Sequence, residues 1–406
     1  MTAPDWVAHA IWWQVYPLGF VGAFPAPAEP GPDEHRLRRL VEWLDHAIEL
    51  GASGIALGPI FASRTHGYDT TDHYRIDPRL GDDADFDHLI VEAHSRGLRV
   101  LLDGVFNHVG LDFAQHVAAP HDDASARWFR GRPGRLHTFE GHGELITLNH
   151  GNPAVVDYVA DVMKHWLGRG ADGWRLDAAY AVPQDFWAEV LPRVRAAHPN
   201  AWFVGELIHG DYAAVVDAAR FDSATQYELW KAIWSSLNDG NFFELDWAMQ
   251  RHSTFLESFA PLTFIGNHDV TRIASQLEHS AHLAHALVIL LTVGGVPSIY
   301  AGDEFGFRGV KEERYGGDDA VRPEFGSPPL PLDAAGAQVW GLHQYLVGLR
   351  RRHPWLHSAS TTALRLVLSE LGPTRAEMLA GSTAPPHEVV TEVVVEAHGW
   401  RILKPA

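Results

Sequence analysis

The sequence predicts an α/β chain whose body is a (β/α)8 TIM barrel, with a short inserted subdomain after the third strand and a small antiparallel β module at the C-terminus. Three observations lead there. Short apolar runs alternate with longer amphipathic stretches over most of the 406 residues, the pattern of parallel strands linked by crossover helices. Eight such runs can be read, the number that closes a barrel. Acidic, basic and polar residues gather just after several of these runs, where a barrel brings its strand ends to one mouth.

In chain order the strands are read at 11–16, 54–57, 99–103, 173–176, 202–205, 222–226, 262–265 and 298–300. Between them lie helical spacings. Leu37, Leu40, Val41, Leu44 and Ile48 predict one helix over 37–50, stopped by Gly51. Phe86, Leu89 and Ile90 predict another over 86–96, ending before Gly97. The barrel is assigned to 1–106 and 154–359. The stretch 107–153, rich in Gly, His, Asp and Pro, far exceeds the roughly 2–6 residues of an ordinary strand-to-helix loop and is read as the inserted subdomain. Alternating runs at 364–368, 389–395 and 400–403 mark a C-terminal β module over 360–406, and 23–32 is a Pro-rich loop.

Composition narrows the chemistry. With no Cys there is no disulfide, thiolate nucleophile, iron–sulfur cluster or Cys-based zinc site. A balance of 32 Lys and Arg against 51 Asp and Glu, −19 at neutral pH, repels nucleic acid and anionic membrane and suits a neutral small-molecule substrate. The first apolar run is broken by Gln14 and Pro17 and follows no basic segment, so it is read as a strand rather than an export signal. No apolar run approaches the roughly 18 residues of a membrane span, and a cytoplasmic location is expected. The assembly is expected to be a monomer or a homo-oligomer, the latter if the short C-terminal module leaves apolar barrel surface to cover.

The strand ends carry the chemistry. The third ends in Asp103 and runs on to Asn107 and His108; the fourth ends Arg175, Leu176, Asp177; the fifth runs into Glu206; the seventh runs into Asn267, His268 and Asp269. Arg175 and Asp177, two apart on a strand, face one side, and a guanidinium there is expected to keep the carboxylate ionised, as a nucleophile requires. Glu206 follows apolar residues, where burial and neighbouring anions would raise its pKa toward that of a proton donor. A nucleophile and an acid/base about 5–5.5 Å apart define retaining glycoside hydrolysis, with a third carboxylate free to hold sugar hydroxyls. Taken singly, each acid is equally compatible with a helix cap or a structural ion pair, and His108 and His268 with hydrogen-bonded core histidines. Metal ligation by the two histidines lacks a His-Glu-x-x-His arrangement or a dense His/Asp cluster.

Four ordered blocks, 103–108 (DGVFNH), 173–177 (GWRLD), 205–206 (GE) and 267–269 (NHD), make the chain resemble the α-amylase family of glycoside hydrolases. Supporting matches are 14–17 (QVYP), 67–72 (GYDTTD), 76–81 (IDPRLG) and 295–306 (GVPSIYAGDEFG), so the resemblance spans nearly the whole barrel. It implies Asp177 as nucleophile, Glu206 as acid/base and Asp269 as transition-state stabiliser, with Arg175 orienting Asp177. It also implies that His108 and His268 bind sugar hydroxyls, that Tyr68 stacks under the ring, and that Asp103 stands behind them, holding Arg175 or the neighbouring strand.

Departures narrow the subgroup. Exo-acting glucosidases of the family resemble one another in an Asp three positions before the stacking Tyr; here Thr65 stands there. The run HGYDTTDHYRIDPRLG is more similar to maltodextrin- and cyclomaltodextrin-degrading members, and Ala178 resembles the residue of α-1,4-acting ones. Ala181 occupies the place of a His that many calcium-binding members carry, so no metal cofactor is expected, with Ca²⁺ in the inserted segment as the alternative. Trp12, Trp13, Trp128, Phe129, Tyr180 and Tyr315 are candidates for further sugar subsites or for core. The leading expectation is a retaining α-glycosidase acting on α-1,4-linked gluco-oligosaccharides. The alternatives are a transglycosylase or isomerase with the same residues, an exo-acting α-glucosidase, and a non-catalytic sugar-binding barrel.

Overall fold

β-Branched or aromatic residues occur in seven of the eight strands, and in the computed structural model each of the eight short runs forms a strand of one parallel sheet. Residues 3–24, 35–132, 134–314, 316–369, 372–381, 389–396 and 399–403 are described. The barrel strands are β1 (Trp12–Val15), β2 (Gly54–Leu57), β3 (Arg99–Gly104), β4 (Gly173–Leu176), β5 (Trp202–Gly205), β6 (Ser223–Ala224), β7 (Leu262–Thr263) and β8 (Val296–Tyr300). They pair in sequence order, with β8 returning to β1. A parallel bridge between Thr225 and Leu262 closes the gap between β6 and β7.

The first residues of opposite strands plug the N-terminal end of the barrel. Trp12 of β1 stacks on Trp202 of β5 at 5.7 Å, and Trp6 meets both edge-on. The neighbour of Trp12 in register is Gly54, where a Cβ would come within 2.4 Å of the indole, so glycine is required for this close approach. Trp12 and Trp13 are therefore core residues, 1% and 0% exposed, and not the sugar subsites offered as one alternative for them.

Outside the barrel the helices lay apolar faces on the strands. The helix expected over 37–50 is two, α1 (Leu37–Val41) and α2 (Leu44–Leu50), because the backbone opens at Trp43 as that ring turns into the cluster of Trp13, Phe20 and Phe325. Gly51 ends α2 at φ +89°, the left-handed stop its position suggested. α3 (Asp83–Ser95) starts earlier than the apolar spacing indicated, since Asp82 and Asp85 form a capping box. α4 (Pro153–Gly168), α5 (Gln184–Ala197), α6 (Tyr212–Ala219), α7 (Tyr227–Asp239), α8 (Phe243–Phe255), α9 (His282–Thr292) and α10 (Ala334–Arg352) complete the ring.

Two excursions rise from the C-terminal end of the barrel. After β2, an antiparallel pair (Phe61–Ser63 with Thr70–Ile76) carries Tyr68 in its connecting loop. Between β3 and α4 lie the short helices Ala114–Ala118 and Asp123–Ala126 and two small antiparallel pairings, one joining His108–Val109 to Ile146–Thr147. Beyond α10 the strands β9 (Ser360–Ser369), β10 (Gly372–Gly381), β11 (Val389–Glu396) and β12 (Gly399–Leu403) form an antiparallel sheet in sequence order. Thr361 ties its start to α8 through hydrogen bonds with Ser253. Most of the Pro-rich loop, and Tyr315, lie outside the described residues. Among the described residues no helix is long and apolar enough to cross a membrane.

Candidate active site

The parallel register sets the first contact. Arg175 of β4 lies beside Asp103 of β3, and neighbours on parallel strands point to the same side of the sheet. Arg175 Nη1 accordingly donates to both Asp103 oxygens at 2.8 and 2.9 Å. The same nitrogen reaches Asp177 Oδ1 at 2.8 Å, while Nη2 meets Glu206 Oε1 at 2.6 Å. One guanidinium thus joins three carboxylates from three strand ends.

The ladder continues past the strand ends and fixes the acids. The Asp177 amide donates to the Gly104 carbonyl and the Glu206 amide to that of Leu176, each at 3.0 Å. Directly after Asp177 the chain turns through Ala178 at φ +45°, a left-handed conformation costing a non-glycine residue about 1 kcal/mol or more. That turn aims the Ala178 amide at Glu206 Oε2, 2.7 Å away, so the strain is spent on holding the second acid. Tyr227, at the start of α7, approaches Glu206 Oε1 at 3.3 Å and accepts from Asn267 Nδ2 at 3.0 Å.

Asp269 occupies the opposite wall. Its amide is held by Asn267 Oδ1, its Oδ2 meets His268 Nε2 at 3.0 Å, and its Oδ1 accepts from Arg322 Nη2 at 2.9 Å. Arg322 also donates to the His268 carbonyl, pairs with Asp318 and lies over the Tyr16 ring at 4.6 Å. The Tyr68 hydroxyl donates to Asp103 Oδ2 at 3.0 Å and touches His268 Nε2, and its ring lies parallel to the His268 ring at 5.5 Å. Tyr68, Asp103, Arg175, Asp177, Glu206, His268 and Asp269 therefore form one connected network.

His108 joins it at one remove. Its Nε2 bonds the Tyr68 carbonyl and its Nδ1 the Asn107 amide, both at 3.0 Å, and its ring stacks on Phe139. Burial lowers its pKa to about 3, so the ring is neutral and is spent on the Tyr68 loop. Of the other aromatic candidates, Phe129 is buried and Trp128 packs on Phe113 and Tyr158, whereas Tyr180 is part-exposed and donates to Glu140 Oε1 at 2.7 Å. Beside that bond lies a cavity of about 320 Å³ lined by Asn107, Phe139, Glu140, Thr147 and Tyr180 among others.

The electrostatics correct one expectation. Burial pushes the Asp177 carboxyl well above the usual range; Arg175 opposes this, and Glu206, Asp103 and Asp269 add to it. Arg175 does not simply keep Asp177 ionised, because its single charge is divided among three acids. Glu206 is also raised, by burial first, with Arg175 opposing and Asp269 reinforcing. The free site therefore favours one proton on the Asp177–Glu206 pair. Burial would raise Asp269 too, but His268 and Arg322 hold it well below the usual carboxylate range. Three clustered acids are thus sorted by environment into a pair that is raised and a stabiliser that stays ionised.

Sequence reasoning missed Arg322, Tyr227 and Asn267 as members of the site. Asn267 sat inside a quoted block, and Arg322 inside the polar, Gly-rich segment after β8, but neither residue type nor spacing signalled the contact. Among the described residues, His35, Asp82 and Asp85 could together face a cation; here they are occupied by the α3 cap and by Arg38.

The model of the α-amylase catalytic domain matches residues 35–363. A cyclomaltodextrinase of Geobacillus thermopakistaniensis is 32% identical over 340 residues, 76% of this chain and 58% of that protein. A maltogenic α-amylase of Bacillus acidopullulyticus is 32% identical over 352 residues, with the same coverage. The chain thus spans about three-fifths of the length of these relatives. Among solved structures, a cyclic α-maltosyl-(1→6)-maltose hydrolase of Arthrobacter globiformis superposes with a TM-score of 0.80 at 25% identity, covering 99% of both chains. A debranching enzyme of Nostoc punctiforme does so at 0.79 and 25%, covering 100% of both.

Proposed function

The chain belongs to the α-amylase family, and from that premise we propose that it is a retaining α-glycosidase hydrolysing α-1,4-linked gluco-oligosaccharides of the maltodextrin type. The observation that carries the reading is the fork of Arg175, whose two terminal nitrogens bind Asp177 at 2.8 Å and Glu206 at 2.6 Å. Two acids bound to one guanidinium support double displacement, for which the carboxyls stand about 5–5.5 Å apart, against about 6.5–9.5 Å in an inverting site.

In the first step Asp177 attacks the anomeric carbon as the glycosidic bond breaks, and the proton held by the pair passes from Glu206 to the departing oxygen. A glucosyl ester on Asp177 results. In the second step Glu206, now a carboxylate, takes a proton from water, whose oxygen attacks the same carbon and releases Asp177. Arg175 offsets the negative charge left on the pair, and Asp269, kept anionic by Arg322 and His268, faces the positive charge developing on the ring. These two guanidinium groups supply the cationic charge, and no metal is assigned a step. Tyr68, its hydroxyl anchored on Asp103, offers a ring face to the apolar side of a pyranose. His108 serves by holding the Tyr68 loop.

The substrate class rests on the names of the relatives and on a charge of −19, which suits a neutral ligand. The test is a time course with maltohexaose, following product length by chromatography and anomeric configuration by NMR, with Asp177→Asn as blank. Initial α-anomeric maltose or maltotriose supports the reading. A β-anomeric product would refute retention, and products longer than the substrate would make the enzyme chiefly a transferase.

A further inference from the structure

The N-terminal end of the barrel, opposite the carboxylate mouth, holds a cleft of about 120 Å³. Its wall includes His9, Ile11, Gly295, Arg350, Arg351 and His357, and no Asp or Glu lines it. Two guanidinium and two imidazole groups converge there in a protein whose net charge is −19.

Arg350 marks the site. Four arginines are buried among the described residues, and Arg175, Arg272 and Arg322 each pair with a carboxylate. Arg350, 6% exposed, meets none among the described residues. Its Nη1 donates to the carbonyls of Leu291 and Val293 at 3.2 and 2.7 Å, and its Nη2 to that of Gly295 at 2.6 Å. These acceptors lie at the C-terminal end of α9, where the helix dipole favours a cation but supplies no full counter-charge. Nε–H and one Nη2–H remain without a partner among the described residues. Arg351 spends Nε on the Gly51 carbonyl at 2.7 Å and likewise meets no carboxylate among them. Burial alone lowers the pKa of Arg350 to about 10, and burial, followed by the Arg350 charge, lowers His357 to about 4.

We propose that this cleft binds a small tetrahedral oxyanion of the phosphate or sulfate type, held by Arg350 and Arg351 with His9 and His357 at its rim. The cleft has room for one such anion. Guanidinium groups match the geometry of such oxygens, and the anion supplies the charge that Arg350 lacks. The site joins the segment before β1, the start of β8 and the turn after α10, which the Gly295 amide already ties to the His357 carbonyl at 2.8 Å. An anion bound only when these segments are assembled stabilises the fold by mass action.

The test is thermal unfolding of the full chain in low-millimolar inorganic phosphate, against potassium chloride at equal ionic strength, for wild type, Arg351→Gln and His357→Gln. The wild-type melting temperature should rise saturably and by more than in chloride, the increment should vanish in Arg351→Gln and shrink in His357→Gln, and maltohexaose turnover should be unchanged by either substitution. Equal increments in phosphate and chloride, or an increment retained in Arg351→Gln, would overturn the proposal, since phosphate also stabilises proteins generally by exclusion from their surface. If Arg351→Gln does not fold, phosphorus NMR on wild type decides: line broadening of phosphate that excess sulfate reverses supports the site, and its absence overturns it. Neither readout depends on the glycosidase assignment.

Discussion

Replacing Arg322 by Gln isolates the electrostatic sorting of the site. The guanidinium bridges Asp269 Oδ1 at 2.9 Å and Asp318 Oδ2 at 3.0 Å, and braces the His268 carbonyl through Nε. Asp269 would lose one of its two side-chain partners and keep His268. A hydrogen bond to a charged group contributes about 1.5–3 kcal/mol. If that contribution is realised in the transition state, kcat/KM falls by about 10- to 150-fold, since about 1.4 kcal/mol is a factor of ten. The pH profile should move as well. Asp269 is held below its ordinary pKa by His268 and Arg322, against burial; without Arg322 its pKa rises, so activity is lost at a higher pH on the acid side. Stability follows the same sign. A depressed carboxyl stabilises the fold above its unfolded pKa of about 3.9, and that contribution is lost as pH falls through the folded value. The variant should therefore melt lower at neutral pH and approach wild type in acid. The assay is kcat/KM for maltohexaose across pH, with melting curves on the same samples. A folded variant with wild-type kcat/KM and an unmoved acid limb would refute the role given to Arg322.

Asp177→Asn and Glu206→Gln should each lower turnover by several orders of magnitude, yet melt at or above the wild-type temperature at neutral pH. Both carboxyls are raised chiefly by burial, so their ionisation costs stability as pH climbs above the unfolded value, and a neutral isostere removes that cost; calorimetry showing both variants well below wild type at neutral pH would contradict this. Tyr68→Phe keeps the ring and removes the hydroxyl that spans Asp103 and His268; kcat should drop about tenfold with KM little changed, for the loss of roughly 1–1.5 kcal/mol. Gly51→Ala puts a Cβ 2.6 Å from Val347 Cγ1 at a residue with φ +89°, and should lower the melting temperature by a few degrees without touching kinetics.

Strand identity and order were legible because period, punctuation and strand-end chemistry agree. The spans 54–57, 173–176 and 202–205 coincide with β2, β4 and β5. β6 and β7 are only two residues each, because the barrel wall there is completed by single contacts such as the Thr225–Leu262 bridge, which no local pattern announces. The break between α1 and α2 was hidden for a similar reason: the apolar spacing continues across it, and only the destination of the Trp43 ring explains why the backbone opens.

By itself, then, the sequence determined the eight-strand plan, the acids at the strand ends and the absence of thiol chemistry, since these follow from residue type and position along the chain. Tertiary structure decided how charge is shared. Arg175 and Asp177 are near in sequence, but the division of one guanidinium among Asp103, Asp177 and Glu206 depends on the register of three strands. Arg322 reaches Asp269 across 53 residues, and Arg350 meets no acid among the described residues, because both outcomes depend on which surfaces the closed barrel brings together. Burial and charge pairing at those meeting points, both properties of the whole fold, set which acids are raised and which stays charged.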